Sequence, residues 1–276
     1  MKLNDELFVL GKNSVGICKV IDSDYVLVSK KMPVSDNQLN DYINAIKDAK
    51  NNGINICEIV DYKLIDGTTS TFNNGVSYSK GVFIEDRAKG NSFTFNHFHL
   101  NEENKKEIID GYMSSITNYI EEIEKRSEAD ISIYDKLIED MLNLSQYNLE
   151  VDPKPTNFFF DSKKGYTIID VIPMTKLGKN EFFNQYLKSI VFGYGIPHIY
   201  LDNNDVSMMP IDLYNRYKNS IKILIAKIET SLLKHNFKLD NSFDYIINEK
   251  DPNIVDYVDI YDYIDNRIEE HNKFKI

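Results

Sequence analysis

Residues 149–173 read LEVDPKPTNFFFDSKKGYTIIDVIP. An acid, a lysine, an amide and a second acid (Asp152, Lys154, Asn157 and Asp170) surround two short apolar runs, FFF and YTIID. The polar DSKKG between the runs has the composition of a hairpin turn. A hairpin there would return Asp170 to the edge that carries Asn157. In isolation the segment is explained by a polar, Pro-containing turn. The sharper reading is a site for metal and phosphate: a carboxylate at a strand end beside an amide oxygen offers hard oxygen ligands, and a lysine offers positive charge.

Working outward, LFVLG, ICKVI and YVLVS read as strands, with the glycine-containing GKNSVG (residues 11–16) between the first two. Ser35 and Gln38 have the spacing of a capping box. Leu39, Tyr42, Ile43 and Ile46 then follow on one helical face, and Gly53 ends that helix. NICEIVDYKLI and GVFIED read as further strands. From Glu102 the period becomes helical, with Ile109, Tyr112, Met113, Ile116, Ile120 and Ile123 on one stripe. Helices are expected over 132–146 and 211–235, and the acidic, Tyr-rich tail from Asp251 as a last helix or a mobile end. Strands first and helices after suggest an α+β fold in two lobes. The expected small lobe is residues 1–84, the hinge 85–92, and the larger helical lobe 93–276.

The 276 residues suffice for such a core. The formal charge of −11 argues against general nucleic-acid or anionic-membrane binding and is compatible with a cationic substrate. MKLNDELF lacks the features of a signal peptide, and no apolar run approaches the roughly 18 residues of a membrane span. Cys18 and Cys57 form no metal or redox pair. The expected compartment is the cytoplasm.

Asp152-Pro153-Lys154-Pro155-Thr156-Asn157, followed by a hairpin and Asp170, resembles the catalytic loop and metal site of the protein kinase-like superfamily. The resemblance implies Asp152 as catalytic base, Lys154 steadying the transferring phosphate, and Asn157 and Asp170 holding Mg²⁺. Upstream, Gly11, Asn13 and Gly16 resemble the glycine-rich loop, whose backbone amides cradle phosphates. Lys30 in VLVSKK resembles the strand lysine that meets the ATP phosphates, with Lys31 the alternative register. FIEDRAKG resembles the hinge, where backbone groups from Glu85 to Arg87 would receive adenine. The match covers roughly residues 7–173.

Several features depart from that pattern. Glu150-Val151 stand where the family has His-Arg, and Val171-Ile172 where it has Phe-Gly. No Ala-Pro-Glu closes an activation segment. These departures look more like the small-molecule branch that includes aminoglycoside and choline phosphotransferases. The implied activity is transfer of the ATP γ-phosphate to an alcohol group, with a small-molecule acceptor favoured over a protein. The alternative is a pseudokinase that binds nucleotide or a partner without turnover. The helix at 36–51 has no Glu to pair with Lys30, which leaves Asp41 or Asp48. His97 and His99 could share one strand face, but with no further Cys or His nearby they read as solvated or hydrogen-bonded.

Overall fold

A computed structural model describes residues 1–32, 36–71, 77–94, 98–99, 105–174, 183–201, 204–206, 208–247 and 253–255, with three single positions beyond. Ser35, His97 and most of the tail from Asp251 lie outside these residues.

The fold is mixed α+β. The first elements are α1 (Asp5–Lys12), β1 (Gly16–Val20), β2 (Tyr25–Met32), α2 (Asp36–Asn51), β3 (Ile59–Leu64), β4 (Ser70–Thr71), β5 (Ser77–Asp86) and β6 (Phe98–His99). Two helices follow, α3 (Lys105–Glu128) and α4 (Ile131–Asn143). Then come β7 (Leu149–Glu150), β8 (Phe158–Asp161), β9 (Gly165–Ile168) and β10 (Ile172–Pro173). The remainder is α5 (Phe183–Phe192), β11 (Ile199–Leu201), β12 (Asn204–Val206), β13 (Met208–Pro210), α6 (Ile211–Lys234), α7 (Asp244–Ile247) and β14 (Asn253–Val255).

By contact the chain divides into two compact units. The first joins Met1–Ser92 to Lys136–Asn180, and the second joins Phe93–Asp135 to Glu181–Ile276. Residues 136–180, assigned from sequence to the larger lobe, therefore group with the N-terminal residues. Backbone bonds are the reason. Cys57 donates to the Ile168 carbonyl (2.9 Å) and Ile168 to that of Asn55 (2.9 Å), while Asn91 and Phe160 exchange bonds of 3.0 and 2.9 Å. The last pair requires glycine next door. Gly90 has φ +92°, and a Cβ there would lie 2.1 Å from the Phe160 oxygen.

The main sheet of the first unit runs β1-β2-β5-β3, all antiparallel, with β4 pairing β5. One face carries the buried cluster Leu27, Ile65, Val82 and Ile84, against which Leu3, Leu7 and Phe8 pack. The strand expected at LFVLG is instead the helix α1. Asn4 caps it by accepting from the Leu7 amide (2.9 Å), Asp5 and Glu6 fill the first turn, and Lys12 closes the last. Leu3, Leu7 and Gly11 recur at a helical period, and the short apolar run between them hides it.

In the second unit α3 and α6 pack together. The α3 stripe Ile109, Tyr112, Met113, Ile116, Ile120 and Ile123 is buried as expected, as are Tyr217, Ile221, Leu224, Ile228 and Leu232 of α6. Tyr112 fixes β13 to this core: its hydroxyl donates to the Met208 carbonyl and accepts from the Met208 amide (2.9 and 2.8 Å). No helix among the described residues is long and apolar enough to cross a membrane.

Candidate functional site

Strand alternation places Val26, Val28 and Lys30 on one face of β2. Their partners across β5 are Glu85, Phe83 and Gly81. Opposite Lys30, the Phe83 ring fills the place that a side chain at Gly81 would take. The Lys30 Nζ stands 5.8 Å from the centre of the Phe83 ring and 2.7 Å from Glu85 Oε1. Lys30 also donates to Oδ1 of Asp170, 140 residues on. Lys31, on the opposite face, is exposed. The same face continues across β1, where Ile17 pairs with Val28 and Val20 with Val26. Ile17 and Val20 are 62% and 48% exposed, an apolar shelf beside the lysine.

The expected hairpin is present. Phe158 pairs with Ile168, and at its open end the Ile169 amide donates to the Asn157 carbonyl (2.8 Å). Asn157 and Asp170 thus leave the hairpin from adjacent chain ends. Asn157 is buried and donates through Nδ2 to the Asp152 carbonyl (3.3 Å), which turns its side-chain oxygen the other way. β7 and β10 pair Leu149 with Pro173 and Glu150 with Ile172. Asp152 Oδ2 pairs with Lys154 Nζ at 2.7 Å. Asp170 has φ +52°, a left-handed conformation that costs a non-glycine residue about 1–2 kcal/mol. The segment after it is tied to α2, because the Tyr42 hydroxyl donates to the Val171 carbonyl.

Burial works against the charge of Lys30, but the carboxylates of Glu85 and then Asp170 outweigh it and hold the ammonium above the ordinary lysine range. Burial pushes the Glu85 carboxyl up, opposed by Lys30 and reinforced by Asp170. Burial likewise raises the Tyr42 phenol. It also pushes the nearby Cys57 thiol up to about 12, which keeps that cysteine from acting as a thiolate.

The structure joins Lys30 to Asp170, Asn157 to the Asp152 carbonyl and Asp152 to Lys154, all within the first unit. It does not bring the glycine-rich segment to them as a loop between two strands. Gly11 is buried in α1 with its Cα against Val82. Asn13 is the exposed C-cap of that helix, and Gly16 opens β1 with φ +76°. β5 runs unbroken through Asp86, whose amide donates to the Glu58 carbonyl (3.0 Å), and the Arg87 amide donates to that of Asp24 (2.7 Å). These two donors are committed within the sheet and its turn. Asp41 and Asp48 are exposed on α2, and Lys30 takes Glu85 and Asp170 as its carboxylates.

Sequence reasoning gave Glu85 a backbone role, and it did not foresee the pairing of its side chain with Lys30. The signal was an acid closing the apolar run GVFI, two residues beyond Phe83 and therefore on its face. No protein-family model matches the chain, and no curated protein matches it significantly.

Proposed function

We propose that the chain is an ATP-dependent phosphotransferase of kinase-like, bilobal architecture that moves the γ-phosphate to a hydroxyl acceptor, a small molecule rather than a protein. The observation that carries this reading is the Lys30–Asp170 contact, which joins a sheet lysine to the acid at the end of the hairpin. In this reading Lys30 meets the α- and β-phosphates, and Lys154 steadies the γ-phosphate. Asp152 orients the acceptor hydroxyl and takes its proton. The exposed Ile17–Val20 shelf gives a flat base an apolar surface on the face that bears Lys30.

The donor set fits Mg²⁺. The Asn157 amide oxygen and the half-exposed Asp170 carboxylate are hard ligands at neighbouring chain ends. Mg²⁺ characteristically takes one or two protein oxygens and completes its shell with phosphate and water. Once bound it would neutralise phosphate charge. Among the described residues no group of three or more His, Cys, Asp and Glu gathers as a metal cage, so this pair is the site to test.

A second reading is nucleotide binding without turnover. It is favoured by the Lys154 pair, which occupies one oxygen of the proposed base.

The test is thermal unfolding with ATP and MgCl₂. A ligand at 100 times its Kd adds about 2.7 kcal/mol of stability. The native chain should show a Mg²⁺-dependent rise that D170A abolishes. D152A should keep the rise while losing ATP hydrolysis. A native chain that millimolar Mg·ATP leaves unshifted refutes the proposal. A shift with no hydrolysis difference between native and D152A selects the second reading.

A further inference from the structure

We infer that Glu85, projecting from the central strand β5, is the positioning residue for Lys30, and that neither Asp41 nor Asp48 of α2 shares this task. The inference rests on the phosphotransferase reading for its purpose, but its geometry stands alone.

Lys30 has two carboxylate partners of different character. Asp170 is 41% exposed in its side chain and sits at a left-handed turn outside any strand. A cation taken up by Asp170 would draw that carboxylate away from the lysine. Glu85 is 9% exposed in its side chain and belongs to a strand hydrogen-bonded on both sides, to β2 and to β3. It therefore remains when Asp170 is engaged elsewhere. The Lys30 stem crosses Phe83, which is fully buried, so the lysine is supported from below and anchored at its tip.

Lysine and anchor also belong to one sheet. α2 reaches this region through the Tyr42–Val171 bond and through Lys50, which pairs with Asp86 next to Glu85.

The experiment uses the full chain and two readouts. One is the rate at which Lys30 is acylated by an amine reagent in the absence of nucleotide, read by peptide mass spectrometry. The other is Mg·ATP affinity from thermal shifts. In E85Q, Lys30 should acylate several-fold faster and Mg·ATP should bind at least tenfold more weakly. The double variant D41N/D48N should match the native chain in both. Should E85Q fail to fold, E85D carries the test, with a smaller change of the same sign and partial retention of affinity. Unchanged Lys30 acylation in E85Q or E85D overturns the inference, as does faster acylation in D41N/D48N. If the native chain takes no Mg·ATP while E85Q acylates faster, the phosphotransferase reading falls and Glu85 stands as the anchor of Lys30.

Discussion

Lys30 is the residue on which the site's electrostatics turn. It compensates a buried glutamate and a half-exposed aspartate at once. Removing one member of a buried pair strands the other, at a typical cost of about 3–5 kcal/mol. In K30M the stranded group is Glu85, still beside Asp170. Burial already raises its carboxyl in the native chain, and loss of the opposing charge raises it further. A carboxyl that titrates higher in the fold than in the unfolded chain contributes stability below its unfolded value, near about 4.3. That contribution disappears as pH climbs through the folded value. The penalty of K30M should therefore be smaller near pH 4.5 than at pH 7.5. Urea midpoints of native and K30M chains in metal-free buffer measure it. A gap that is the same at both pH values would show that Glu85 is not the group left uncompensated.

At the scale of elements, α1 is where the sheet face opposite Lys30 obtains its cover. Gly11 lets the helix approach so closely that a Cβ would stand 2.4 Å from a Val82 methyl. G11A should cost about 1–3 kcal/mol by overpacking, against an intrinsic helix gain for alanine of about 1. V82A removes the obstructing methyls and should be destabilising by itself. The double variant should lose less than the two singles together, with coupling of about 1 kcal/mol or more. Additive losses in chemical denaturation would show that α1 does not dock on Val82. This element also marks where sequence reading fails. The long stripes of α3 and α6 repeat over several turns, and the DSKKG hairpin has explicit turn chemistry, so those were legible. α1 is a two-turn helix whose contiguous LFVL suits a buried strand equally well. The meeting of Lys30 with Asp170 was expected only through the resemblance of their surroundings to the kinase-like pattern. The part played by Glu85 was not legible, because it depends on the register between β2 and β5, which no local pattern states. A strand acid can be assigned to a lysine only once pairing sets Gly81 opposite that lysine and the side chain is seen to run along the strand.

At the scale of the whole molecule, each compact unit is built from two separate stretches of chain. The first unit cannot then be obtained by cutting after Ser92. Such a fragment keeps the whole β1-β2-β5-β3 sheet but loses the hairpin bonded to residues 55–57 and 91. Four backbone hydrogen bonds go, at about 1 kcal/mol each. So does the apolar contribution of Phe158, Phe160 and Ile168, all nearly or fully buried and worth about 1.5–3 kcal/mol apiece. Lys30 and Glu85 lose Asp170, and the Tyr42 hydroxyl loses its acceptor. The sum is comparable to the entire stability of an ordinary domain, about 5–15 kcal/mol. Fragment 1–92 should therefore show no cooperative urea transition by circular dichroism. Joining residues 136–180 to it through a flexible linker should restore one, because the linker returns the missing strands at high effective concentration. A fragment 1–92 that unfolds cooperatively without the hairpin would mean that the sheet and its α1 cover are self-sufficient, and that the hairpin is an addition to this unit and not part of its core.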